Sequence, residues 1–152
     1  MANRNGLLDD LVPDKGVLCA TAEETARLGM EIAAELGDGS VVSLEGPLGA
    51  GKTQLTKGIV RALGCGVEVS SPSFAILHEY EGGRLPVHHF DFYRLEHAGE
   101  LNTTGYDDCL AEGVTIVEWG DKFPEMLPAG TLRIRLEILP EGGRRIGGER
   151  TV

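Results

Sequence analysis

Residues 43–63 read SLEGPLGAGKTQLTKGIVRAL. Inside this stretch, Gly46-Pro47-Leu48-Gly49-Ala50-Gly51-Lys52-Thr53 fits G-x-x-x-x-G-K-[ST], a loop whose backbone N–H groups cradle phosphate. Each residue type has a reason. Glycines let the chain turn and bring successive N–H groups close to anionic oxygens. A helix that starts where the loop ends adds about half a positive charge. Lys52 is placed to reach the β- and γ-phosphates, and the Thr53 hydroxyl to bind magnesium. The flanks agree. The apolar run Val41 to Leu44 reads as a strand, and residues 52–64 read as a helix with Ile59, Val60 and Leu63 on its buried side and Gly64 at its end. This order of strand, loop and helix implies a nucleoside triphosphate with Mg2+.

Working outward, residues 21–37 predict a helix. Thr21 and Glu24 form a capping-box pair, Leu28, Ile32 and Leu36 repeat at helical spacing, and Gly37 is a natural stop. Residues 74–94 read as two strands joined at Gly82-Gly83, a hairpin. Residues 105–113 suggest a short helix, VTIVEW a buried strand with an acid at its far end, and residues 131–139 a strand with one exposed face. The expected architecture is therefore α/β: a single-domain P-loop NTPase-like sandwich on a mixed parallel and antiparallel sheet. The domain is expected over residues 20–152. Residues 1–19 are expected to be a flexible N-terminal segment, and the Gly- and Arg-rich tail from Pro140 is expected to be partly mobile.

Composition narrows the function. The 152 residues suit one domain with a full core. No apolar run approaches membrane-spanning length and no signal-peptide core opens the chain, so the expected compartment is cytoplasmic, with no membrane partner. A net charge of −10 argues against direct binding of nucleic acid; any such chemistry needs a basic surface from a partner. Cys19, Cys65 and Cys109 are scattered and odd in number, which favours structural burial over metal or redox roles. His78, His88, His89 and His97 lack metal-ligand spacing and are expected to be structural or exposed.

A magnesium site needs a second acid. Glu118, at the end of the VTIVEW strand, sits where a Walker B strand delivers one; its alternative is a solvated acid at a strand end. Asp91 is the other candidate. Strand alternation puts it on one face with Val87, His89 and Tyr93, opposite His88, Phe90 and Phe92. A salt bridge with an arginine such as Arg94 is its competing role. Ser71-Pro72-Ser73-Phe74 occupies the place of a switch loop that senses the γ-phosphate, with a plain turn as the alternative. Trp119 directly follows Glu118, where core packing competes with a role at the site.

Taken in order, GPLGAGKT, SPSF, HHFDFYRL and VEW resemble the TsaE (YjeE) family over roughly Ala20 to Arg145. The family's usual aspartate is replaced by Pro47 and its second threonine by Gln54, Ser73 stands for a threonine, and Gly120 stands where a proline is common. The resemblance implies ATP with Mg2+ as cofactors. It implies Gly49, Ala50, Gly51, Lys52 and Thr53 as the phosphate loop, bordered by Gly46 and Gln54, and Thr53 with Glu118 as metal ligands. It further implies Asp91 as essential to turnover alongside Lys52 and Glu118, Trp119 beside the nucleotide, Gly143 and Arg144 as a late Gly-Arg pair near it, and Thr25 near the adenine. The implied function is an ATP-hydrolysing accessory subunit, weak alone and stimulated by partners. It would be required with TsaB and TsaD to place threonylcarbamoyl on adenosine 37 of tRNAs reading codons that start with A, meeting tRNA only through that complex.

Other P-loop functions fit less well. A small-molecule kinase needs a basic lid that closes over the phosphates, and the arginines here are mostly isolated. A GTPase needs an N-K-x-D guanine-reading motif, which the chain lacks. A binding module without catalysis has no use for Lys52, Thr53 and Glu118 together.

Overall fold

The computed structural model describes residues 16–65, 69 and 76–151. A seven-stranded mixed sheet forms its middle. The strands are β1 (Val17–Cys19), β2 (Ser40–Glu45), β3 (Leu77–Tyr80), β4 (Val87–Asp91), β5 (Val114–Glu118), β6 (Leu132–Ile138) and β7 (Arg144–Arg150), and they lie side by side in the order β1-β7-β6-β2-β5-β4-β3. The inner four, β6, β2, β5 and β4, run parallel; β7, β1 and β3 join antiparallel. The parallel strands are buried on both faces, which is why Val41 to Leu44 and Val114 to Val117 are apolar runs rather than alternating ones. β6 alternates instead, with Leu132, Ile134 and Leu136 inside.

Two corrections to the sequence reading concern the ends of the chain. Val17–Cys19 form β1 and so are not part of the flexible segment expected through residue 19; residues 1–15 lie outside the described residues. The tail after Pro140 turns at Gly142, whose φ is 102°, and returns as β7, with Ile146 buried against Leu136. Its glycines look like low complexity, yet Gly148 lies so near the Arg133 carbonyl that a side chain there would crowd it.

Helix α1 (Ala22–Ala33) opens as expected. Thr21 Oγ1 accepts the Glu24 N–H at 3.1 Å, while Glu24 Oε2 accepts the N–H of Ala20, one residue further out than a capping box requires. It ends at Ala33 rather than Gly37, because the chain tightens into i→i+3 bonds at Glu35 and Leu36. Helix α2 (Lys52–Ala62) starts directly from the glycine loop. The two helices cross at glycines. A methyl group on Gly58 would collide with the Ala26 carbonyl, and one on Gly29 with the Leu55 carbonyl. Leu28, Ile32, Leu55 and Ile59 are fully enclosed between the helices and the sheet, each worth about 1.5–3 kcal/mol of burial. Short helix α3 (Tyr106–Cys109) covers the other face, where Tyr106 packs edge-on against Phe90 at 5.1 Å.

Candidate functional site

Three parallel strands end together, and residues at their carboxyl ends define the site. Leu44 on β2 is the register partner of Glu118 on β5, and Glu118 is the partner of Asp91 on β4. The chain order reverses at β2, which lies between β6 and β5, so a crevice opens at the carboxyl ends of these strands. A cleft of about 860 Å3 occupies that place, lined by Leu48, Gly49, Gly51, Lys52, Thr53, Gln54, Asp91, Tyr93, Arg94, Glu118 and Trp119.

The loop from Gly46 to Gly51 is a shape only glycine tolerates at its bends. Gly46, Gly49 and Gly51 take φ of 154°, 82° and 108°. Gly46 also lies against the Leu136 carbonyl, where no side chain fits, whereas the tip at Gly49 faces open space. Ala50 is buried beneath the loop. Lys52 Nζ donates to the Gly46 carbonyl at 2.6 Å and sits 3.9 Å from the centre of the Trp119 ring. Burial holds its ammonium below the ordinary lysine value, against the pull of Glu118, Asp91 and Asp121.

Glu118 and Asp91 are both buried, at 4% and 8% exposure, which removes the solvated-acid alternative for Glu118. Glu118 Oε2 lies 3.0 Å from His89 Nε2, and Tyr80 OH lies 3.2 Å from His89 Nδ1. Asp91 Oδ1 accepts the Tyr93 N–H at 2.9 Å. Burial pushes the Asp91 carboxyl above its usual value; the Tyr93 N–H opposes that shift, Glu118 adds to it, and Arg94 and His89 counter it. Trp119 adopts φ 61°, a left-handed conformation rare for a bulky residue, and its ring lies tilted against Tyr93 with centroids 5.1 Å apart. Its neighbour Gly120 rests on the Ser43 side chain, where any Cβ would collide. That contact accounts for a glycine at this position.

The cleft thus gathers Gly49, Gly51, Lys52, Thr53, Gln54, Asp91, Glu118 and Trp119. Gly46 lies beneath it and holds Lys52. Arg144 clasps the loop from outside, its Nη2 donating to the Gly49 carbonyl at 3.1 Å, while Gly143 packs near Cys19 and is not part of the lining. Thr25 is buried under Gly51, with its methyl 3.5 Å from where a Cβ would stand there. The Ser71–Phe74 segment lies outside the described residues. Sequence reasoning missed four participants. Leu48 and Tyr93 carry no motif signal of their own. Arg94 had been weighed only as a structural partner of Asp91, yet it lines the cleft and supplies a cation in cis. Lys122 was missed as well; its Nζ bonds to the Tyr93 and Leu95 carbonyls at 2.8 and 2.5 Å and fixes the chain after Asp91.

The donor set fits a magnesium nucleotide. Hydroxyl and carboxylate oxygens suit a hard cation, and an open glycine tip beside a helix start suits phosphate. No helix among the described residues is long and apolar enough to cross a membrane.

A family model described as Threonylcarbamoyl adenosine biosynthesis protein TsaE matches residues 19–146. The tRNA threonylcarbamoyladenosine biosynthesis protein TsaE of Treponema pallidum is 40% identical over 83% of this chain and 93% of its own. The protein of that name from Bacillus subtilis is 41% identical over 82% of this chain and 78% of its own. The crystal structure of Bacillus subtilis YdiB superposes with a TM-score of 0.74 at 34% identity, covering 90% of this chain and 84% of that one.

Proposed function

Because the chain belongs to the TsaE family of tRNA threonylcarbamoyladenosine biosynthesis proteins, we propose that it is an ATPase that binds ATP with Mg2+ in the glycine-loop cleft and serves a TsaB–TsaD complex in the cytoplasm. One observation carries this reading: Lys52, Asp91 and the adjacent pair Glu118 and Trp119, from three separate segments of the chain, converge on one cleft beside the loop.

Each residue has a task that its surroundings support. The backbone from Gly49 to Thr53 receives the phosphates, and Lys52 exchanges the Gly46 carbonyl and the Trp119 face for phosphate oxygens. Thr53 and Glu118 would hold Mg2+, which when bound neutralises charge on the phosphates. The carboxylate of Asp91, raised by burial toward neutrality, orients the attacking water at one oxygen while the Tyr93 N–H holds the other. Arg94 lies where it can stabilise charge developing on the transferred group. Arg144 keeps the loop tip in place through the Gly49 carbonyl. Thr25 supports the loop from below, and Gln54 borders the phosphates.

Hydrolysis resets the partner complex between rounds of tRNA modification. With 24 acidic residues against 14 basic ones, the chain is poorly suited to holding tRNA itself, and the partners supply that surface. The test is phosphate release by the protein alone, with TsaB–TsaD, and with TsaB–TsaD plus tRNA. A low basal rate that rises with partners is expected. Full activity alone, or transfer of the phosphoryl group to a small acceptor, overturns the reading in favour of an independent hydrolase or kinase.

A further inference from the structure

A second cluster of ligand-type side chains lies on the opposite face of the sheet from Glu118 and His89. Glu79 on β3 and His88 on β4 are direct cross-strand partners, so both leave the sheet on the same face. Tyr106 packs on Phe90, two residues along that face, and this contact lays α3 over it with Cys109 pointing inward. One ligand atom from each of Glu79, His88 and Cys109 then lies within 4.8 Å of the other two.

An independent observation concerns the imidazole. Both ring nitrogens of His88 are shielded from solvent and neither has a hydrogen-bond partner. The nearest acid oxygen, Glu79 Oε1, stands 4.0 Å from Nδ1, beyond hydrogen-bond reach. Two enclosed polar atoms without partners are costly, and native interiors rarely keep them. A bound ion removes that cost for the nitrogen that ligates it. No sequence signal marks this group, because the three residues lie on three different elements with no motif spacing.

We infer that Glu79, His88 and Cys109 bind a divalent transition-metal ion of the Zn2+ class that clips the β3–β4 hairpin to α3. One thiolate, one imidazole and one carboxylate make a mixed set that suits Zn2+ and disfavours Mg2+ or Ca2+. Three protein ligands leave the fourth tetrahedral position to water. Zn–S, Zn–N and Zn–O bonds of about 2.0–2.3 Å place neighbouring ligand atoms about 3.5 Å apart, so the cluster closes by about 1 Å on binding. Glu79 can make that movement, being half exposed on the edge strand. As the sulfur–metal bond forms, the Cys109 thiol proton passes to solvent.

The test uses chelator-treated full-length protein, titrated with Co2+ as a spectroscopic stand-in and then with Zn2+. One equivalent of Co2+ should give a thiolate-to-cobalt charge-transfer band with tetrahedral visible absorption, and Zn2+ should displace it. The nucleotide cleft offers no thiol, so the band separates the two sites. Cys109→Ser should lose the band while still binding ATP. Glu79→Gln, at an exposed position, should keep the band but need about tenfold more Co2+. Zn2+ should raise the thermal midpoint of the wild type by about 5 °C and leave Cys109→Ser unmoved. The proposal is overturned by absence of the band at stoichiometric cobalt, by its persistence in Cys109→Ser, by unaltered affinity in Glu79→Gln, or by a thermal midpoint indifferent to zinc.

Discussion

His89 Nε2 lies 3.0 Å from Glu118 Oε2, and both side chains are buried. An ionised carboxylate only accepts, so Nε2 carries the proton, and in the neutral ring Nδ1 accepts from the Tyr80 hydroxyl. Three residues from three strands thus set the direction in which Glu118 presents its other oxygen. Partners of this kind typically tune metal affinity by 10- to 100-fold. His89→Gln should therefore raise the Mg2+ needed for half-maximal nucleotide binding by about tenfold, and Tyr80→Phe should do so by less. Mn2+ binding followed by electron paramagnetic resonance, with nucleotide present, reads this directly. Unchanged affinity in His89→Gln would make the pair purely structural.

Lys52 over Trp119 gives a second prediction. The ammonium lies 3.9 Å from the indole centre, so nucleotide binding must draw it off the ring. Lys52→Ala should lower phosphate release with partners present by at least about 100-fold, since electrostatics supply most of phosphoryl-transfer catalysis. ATP should change Trp119 fluorescence in the wild type, and Lys52→Ala should abolish that change. Trp119 is the only tryptophan, so the signal is unambiguous. Wild-type hydrolysis in the mutant would reject the assignment.

Much of this was legible in the sequence because the signals were local. The P-loop, its strand and its helix all lie within residues 41–64, and the spacing of glycine, lysine and threonine carries the geometry. Glu118 was legible for the same reason, as the polar end of an apolar run. What escaped depends on register. That Asp91 lies beside Glu118 follows only from β4 and β5 being parallel neighbours, and that His89 reaches Glu118 follows from the same pairing. The tail was misread because its glycines resemble a linker, although two of them, Gly147 and Gly148, lie within β7. The strand role of these two rests on pairing with Arg135 and Ile134 of β6.

The crossing of α1 and α2 yields a prediction on stability. Gly58 touches the backbone of Ala26, and backbone cannot rotate away as a side chain can. Gly58→Ala gains helix propensity of up to about 1 kcal/mol, but overpacking costs about 1–3 kcal/mol or more, and the steric term wins here. Since α2 begins at Lys52, the displaced helix should carry the phosphate loop with it. Urea unfolding should show a loss of about 2 kcal/mol, and ATP affinity should fall together with stability. A variant as stable as the wild type would mean that the helices separate more easily than their contact suggests.

Asp91 and Glu118 are register partners with separable roles, and Asp91→Asn separates them. Burial raises the folded-state pKa of Asp91 above its ordinary value, about 3.9 in an unfolded chain. For an acid shifted upward, folding stability is fully present below the unfolded pKa and declines as pH rises through the folded one, after which the penalty is constant. Asparagine never ionises and can still accept the Tyr93 N–H. In nucleotide-free protein, Asp91→Asn should therefore raise the thermal midpoint at pH 7 by about 2 °C, and the gain should shrink as pH falls toward 4. A penalty retained in the native residue marks a group kept for function rather than stability. Consistent with that, Asp91→Asn should bind ATP–Mg2+ nearly as well as the wild type yet release phosphate far more slowly, whereas Glu118→Gln should raise the Mg2+ requirement first. Isothermal titration beside phosphate release at several Mg2+ concentrations distinguishes the two. If Asp91→Asn lost binding as severely as Lys52→Ala, Asp91 would belong to the ground-state site. If it hydrolysed at the wild-type rate, only a structural charge would remain for it.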